Sequence, residues 1–184
     1  MGKKGTFLRL EMYLVDQKGK RKLALRKKND PFVQAMLYAI YTHFTMVNQN
    51  WKDVSGTQRS YVHTSIVINP AAGNAYGIVV GTGANAVTVS DYTLQTLIAH
   101  GTGSGQLYYS ANYWSAPTLS GSTYTTEGYR QIINLSGGDV TVNEVGIYGL
   151  NGGWYFLLAR DTTGGITVPA EGILIVVYKV QTTI

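Results

Sequence analysis

Apolar and polar residues alternate through most of this chain, and the pattern is strongest from Asp139 to Val180. The run DVTVNEVGIYGL, then Asn151-Gly152-Gly153, then WYFLLARD predicts two strands joined by a tight turn. In that turn Asn151-Gly152 would supply the positive φ angles of a type I′ hairpin. Further on, ILIVVYKV carries apolar residues at Ile173, Ile175 and Val177 and also at Leu174, Val176 and Tyr178. A strand apolar on both faces is expected to be covered on both faces. Apolar parity changes between Val140, Val142 and Val145, Ile147, which predicts a β-bulge at Asn143-Glu144.

Nearer the amino terminus, TFLRLEMYLVD and RKLALRK flank a Gln17–Lys20 turn, so residues 5–28 predict a β-hairpin. Asp30 is a suitable N-cap and Pro31 a suitable first helical residue for the segment FVQAMLYAIYTHF. Its apolar positions Phe32, Val33, Met36, Leu37, Ile40, Tyr41 and Phe44, with Ala35, Tyr38 and Ala39, leave only Gln34, Thr42 and His43 as a polar stripe. Such a helix needs cover on more than one side. One sandwich face covers one side, and a neighbouring subunit is the natural cover for the rest, which makes Phe32, Met36, Leu37, Ile40, Tyr41 and Phe44 the candidate assembly interface. Strands are expected at 60–68 and 76–80, with a short one at 87–89 and a helical turn at 91–98. Two Tyr-rich stretches, 105–117 and 122–135, read as a hairpin. About eight short, evenly spaced strands in residues 57–184 predict a mainly β, antiparallel β-sandwich or jelly-roll-like domain. Residues 1–46, the hairpin and the one apolar helix, are expected to form a separate assembly element.

Composition adds a surface to this outline. Charged residues make up 14% of the 184 residues, while 22 glycines and 14 tyrosines are present. Against a usual charged share of about 25%, the surface must be largely Thr, Ser, Asn, Gly and Tyr. The aromatic residues Tyr108, Tyr109, Tyr113, Trp114, Tyr124 and Tyr129 either line a binding face or pack across strands. There is no cysteine, which removes disulfides and thiolate chemistry. No apolar run has the length of a membrane span and the start lacks the apolar core of a secretory signal, so the expectation is a soluble, unprocessed chain. Ten of fifteen basic residues and three acids lie in residues 1–30, a net +7, whereas the remainder carries −2. The basic arm, Lys18, Lys20, Arg21, Lys22, Arg26, Lys27 and Lys28, either meets nucleic acid or an acidic protein surface or forms a solvated hairpin.

Catalytic patterns do not hold up. Gly81-Thr-Gly83-Ala-Asn-Ala86 fits a relaxed dinucleotide fingerprint, but β-branched Val87, Thr88 and Val89 follow where a helix should open, and no acid stands about twenty residues on. No lysine follows a glycine run as in a P-loop. His43, His63 and His100 lack a second ligand at helical spacing. Asp91, Glu127, Asp139, Glu144, Asp161 and Glu171 nearly all flank turns, where acids are common. The Asn134-Leu135-Ser136 sequon carries no weight without a secretion signal. No catalytic residue, cofactor or metal is expected.

In order, the chain presents IVVGTGANAVTVSDYTLQTLI, a variable Tyr-rich hairpin, NEVGIYG, LLARD and ITVPAEGILIVVYKV. This order, over Ile78 to Val180, resembles β-rich virion structural proteins of tailed phages and archaeal viruses. The K-N-D-P-F opening of the helix is similar to the start of some of them. The resemblance implies assembly: a non-enzymatic capsid, vertex or tail component, homo-oligomeric and packed against other virion proteins, with no catalytic residues to carry over. The reading from a different class is a β-sandwich binding module for glycan, receptor or nucleic acid that uses the Tyr-rich face.

Overall fold

β11 (Ile173–Thr183) is hydrogen-bonded along its whole length on both edges, to β1 (Gly5–Val15) and to β8 (Thr123–Ile133). Around it the computed structural model, which describes residues 5–28, 33–61 and 65–183, builds an antiparallel sheet in the order β2-β1-β11-β8-β6. Here β2 is Arg21–Lys28 and β6 is Tyr108–Trp114, and β7 (Thr118–Ser120) adds to β8. A second antiparallel sheet, in the order β10-β9-β5, joins Trp154–Val168, Val140–Asn151 and Gly77–Gly81. A small pair, β3 (Gln49–Lys52) and β4 (Gln58–Tyr61), follows the single helix α1 (Gln34–Thr45). The described chain is therefore mainly β, with antiparallel sheets.

Both large sheets feed one hydrophobic core. Leu8, Leu10 and Met12 of β1, Leu174, Val176 and Tyr178 of β11, and Val79, Val145, Ile147 and Leu157 of the second sheet are all buried in it. The period of two puts every second residue of β1 and β11 inward. The expectation for β11 is met on one face only: Ile173 and Ile175 on the other face are half-buried, although Val177 is buried.

The boundary expected at residue 46 does not follow the packing. β1 lies inside the large sheet, between β2 and β11, and supplies three core residues. β2 is an edge strand of that sheet, and its lysines and arginines blunt an edge that would otherwise template further pairing. The free edge of β10 is covered in another way, since the amides of Val33 and Val54 donate to the carbonyls of Leu158 and Tyr155.

Local details correct the sequence reading at several points. Trp154 pairs with Asn151, so the two-residue turn is Gly152-Gly153, at φ +57° and +85°. Asn151 ends its strand and needs no positive φ. The irregularity expected at Asn143-Glu144 lies there, but its extra residues are on the partner strand, Thr163–Gly165 of β10 opposite Asn143, and a second irregularity falls near Leu158. Within β9 itself, Glu144 continues the face of Val140 and Val142 as a buried carboxylate. Residues 87–98 form neither the expected strand nor a helical turn. The 60–68 strand is present only as β4 and an isolated bridge from Val67 to Leu150, and residues 62–64 lie outside the described residues. Asp30, Pro31 and Phe32 also lie outside them. The helix is capped at Val33, in extended conformation, with no side-chain cap.

Candidate assembly surface

The helix turns its small residues inward and its large ones outward. Ala35, Ala39 and Thr42 are buried, and Met36 and Tyr38 pack partly against the core. Small side chains let the helix backbone lie close to β10. Leu37, Ile40, Tyr41 and Phe44 are 64%, 40%, 45% and 84% exposed, and Met46 and Val47 continue the exposed apolar surface. Positions 37, 40, 41 and 44 have the i, i+3, i+4, i+7 spacing of a stripe that packs against another element. Among the candidate interface residues, Met36 is thus drawn toward the core, four share one open stripe, and Phe32 falls outside the described residues. No Asp, Glu, Lys or Arg occurs from Val33 to Trp51, so the stripe itself is uncharged.

The basic arm divides by strand face. Lys27 points inward and its ammonium donates to Asp161 Oδ1 and to the Thr162 carbonyl. Arg26 points outward to Glu11, at 3.0 Å, and Arg21 lies 3.6 Å over the Tyr13 ring. Three of the seven therefore have partners within the fold. Lys18, Lys20 and Lys22 at the turn are exposed and make no ion pair among the described residues. Lys28 ends β2. Glu11 is buried among Tyr13, Lys179 and Arg26. Burial alone would raise its carboxyl pKa, but the Tyr13 hydroxyl and the two cations outweigh this and hold it below the ordinary value.

The expected aromatic face also divides. Register places Tyr113, Tyr129, Val177, Glu11 and Arg26 in one row across the large sheet. Tyr113 and Tyr129 are exposed with ring centroids 5.4 Å apart, and Tyr108 and Tyr124 are exposed as well. Tyr109 belongs to the core: its hydroxyl donates to the Val80 and Ile98 carbonyls, and burial pushes its pKa up. Trp114 is half-buried, with its indole against Gly128, where a Cβ would come within 2.3 Å. Neither belongs to an open face. Beside Tyr109, Arg130 is fully buried and donates to the backbone carbonyls of Ser110, Tyr76, Ile78 and Gly73. Desolvation lowers its pKa to about 10.

What the sequence reading took for turn-flanking acids is a buried clamp. Glu144 accepts from the amides of Gly83, Gln95 and Thr96 at 3.0, 3.1 and 2.9 Å, and from Arg160 Nε at 2.8 Å. Arg160 also donates to Asp91 Oδ2 at 2.8 Å and to the carbonyls of Asn85 and Ala86. Thr88 binds Asp91 through its amide and its hydroxyl. Against the upward push of burial, Thr88 and Arg160 hold the Asp91 carboxyl below its usual value. The hydroxyl of Tyr148 accepts from the Leu94 amide at 2.8 Å. The segment 82–96 is thereby tied to the β9–β10 hairpin by ions and amides instead of its own secondary structure. Gly81 and Gly83 are the other half of the arrangement, because a Cβ on either would lie 2.5–2.6 Å from Glu144 Oε1. The glycine pattern that imitates a nucleotide fingerprint thus cradles the protein's own carboxylate. Asp161, next to Arg160 but on the opposite strand face, holds Lys27 of β2.

The histidines stay apart. His43 Nδ1 lies 2.8 Å from the Ala39 carbonyl, and His100 Nδ1 accepts from the Tyr109 amide; His63 is outside the described residues. Among the described residues no cluster of three or more potential metal ligands occurs, and no helix is long and apolar enough to cross a membrane. No protein-family model, no curated protein and no solved structure matches this chain.

Proposed function

We propose that this chain is a non-enzymatic structural subunit of a virus particle, a jelly-roll-like β-sandwich that assembles with copies of itself and with other coat or tail proteins. The observation that carries the reading is the outward stripe Leu37, Ile40, Tyr41 and Phe44. Exposed apolar surface of this extent is costly for a monomer and ordinary at an interface. The occupant is a second copy of the chain. An uncharged stripe meets its own symmetry mate without like-charge repulsion, as an isologous contact requires. Absence of lysine and arginine from the helix argues against docking on an anionic membrane surface. The motif resemblance over Ile78–Val180 supports the virion setting. The exposed turn bearing Lys18, Lys20 and Lys22 is then the contact for nucleic acid or an acidic neighbouring protein.

Sedimentation velocity over a range of concentrations tests the assembly step. Wild type is expected to form a discrete oligomer, and the double variant Leu37→Glu/Phe44→Glu a monomer with an unchanged melting temperature. Both side chains already face solvent, so the fold has little to lose. A wild-type protein that stays monomeric at high micromolar concentration overturns self-assembly, and absence of the chain from purified particles by mass spectrometry overturns the virion role.

A further inference from the structure

We propose that the groove between the start of α1, the β3–β4 pair and residues 90–92 binds a neutral saccharide. It is separate from the outward helix stripe and from the Tyr113–Tyr129 row. The groove encloses about 300 Å³, at the lower end of the range for small-ligand sites and enough for one or two sugar rings.

Its lining has the two kinds of chemistry that a pyranose asks for. Aromatic surface comes from the half-buried Tyr38 and Tyr92, with the buried Trp51 against Tyr38 and the Lys52 ammonium 5.1 Å from the Tyr92 ring centroid. Tyr38 and Trp51 stack at 5.4 Å, and Trp51 meets Phe156 edge-on at 5.2 Å, so this wall is fixed by the core behind it. An aromatic ring offers an apolar surface for the C–H face of a sugar, and the tyrosine hydroxyls add polar tips. Amide groups come from Gln34, Asn50 and Gln58. The side chains of Asn50 and Gln58 are exposed and make no hydrogen bond among the described residues, while Gln34 uses only its Nε2, toward the Tyr38 hydroxyl. Each free amide pairs a donor with an acceptor, which suits vicinal hydroxyls that both give and take hydrogen bonds.

Charge selects a neutral ligand over a polyanion. The carboxylate in the groove, Asp91, is already balanced by Arg160, which leaves Lys52 as the one cation of the lining without an ion pair among the described residues. Binding a nucleic-acid strand relies on several phosphate-directed cations, and the basic cluster of residues 18–28 is not part of this lining. The walls are preformed as well. The Gln34 amide donates to the Val89 carbonyl, Thr88 and Arg160 hold Asp91, and Lys52 pairs with Gln58 across β3–β4. Preorganised walls lower the ordering cost that weakens binding.

The test uses the full chain on an array of neutral hexose and N-acetylhexosamine oligosaccharides, followed by NMR titration with the best binder. Binding is expected to shift the Trp51 indole resonance. The variant Asn50→Ala/Gln58→Ala, altered at two exposed side chains, is expected to bind on the order of tenfold more weakly, with an unchanged melting temperature; Tyr92→Ala is expected to weaken binding further. The proposal is overturned if no array saccharide binds, if the double variant binds as wild type does, or if the shifts fall outside the groove. It is equally overturned if a thymidine oligonucleotide perturbs the same resonances more strongly than any saccharide.

Discussion

Arg160 donates its Nε–H to Glu144 Oε2 at 2.8 Å, and both side chains are completely withdrawn from solvent. A buried pair of this kind holds because every other polar atom around it is also partnered: three amides on the carboxylate, two carbonyls and Asp91 on the guanidinium. Taking away one partner strands the other in a medium that cannot solvate it. Arg160→Met is therefore expected to cost about 3–5 kcal/mol, read as a lowered denaturant midpoint. A midpoint within error of wild type would show that the 82–96 segment does not depend on the clamp.

Two glycine substitutions separate close packing from backbone effects. Gly83→Ala directs a methyl group to 2.5 Å from both Gln95 Cβ and Glu144 Oε1, whereas Gly138→Ala meets nothing within 4 Å, and neither glycine has a positive φ. The first is expected to destabilise by about 1–3 kcal/mol through overpacking, the second by no more than about 0.5 kcal/mol. Thermal melts of the two variants side by side make the comparison. Equal melting temperatures would remove the cradle argument for Gly83.

Acid should unlock the fold in a defined direction. Glu11, Asp53 and Asp91 all have carboxyl pKa values lowered from ordinary values of 4.5, 3.8 and 3.8. In each, burial pulls upward and is outweighed by hydrogen bonds and neighbouring cations, Arg59 at 2.9 Å in the case of Asp53. A group lowered in the folded state contributes stability that is present above its unfolded value and is lost as pH falls through the folded one. Melting temperature is expected to be level from neutral pH to about pH 5 and to fall below about pH 4. Arg26→Gln removes one cation from Glu11 and should shift that acid limb to higher pH. An unchanged limb would mean that Glu11 contributes nothing to it.

Removing residues 1–46 is expected to abolish folding. Without β1, β11 loses eleven paired residues on one edge and the core loses Leu8, Leu10 and Met12. Circular dichroism and amide exchange of the 47–184 fragment would report the outcome. A cooperative melt of that fragment would show that the sheet closes without β1, and would restore the amino-terminal element as a separable unit.

Much of the strand pattern was legible because period-two alternation is local. β1, β2, β6, β8, β9, β10 and β11 all fall in segments read as strands, and the double apolar row of β11 marked it as an interior strand. The inward face of α1 was not legible. The sequence shows a helix apolar nearly all round, but only packing against β10 decides that Ala35, Ala39 and Thr42 turn in while Leu37 and Phe44 turn out. That choice rests on how near the backbones approach, which no spacing rule encodes. Residues 82–98 were misread for a related reason. Their order comes from Glu144 and Arg160, some fifty to seventy positions away, and a charged residue buried by a distant partner looks, within its own window, like any exposed one. The residue pattern along the chain thus located most strands of the two large sheets, whereas the buried charges, the orientation of the helix and the groove beside Trp51 were decided by contacts between residues far apart in sequence, whose energy exists only once the sheets have closed.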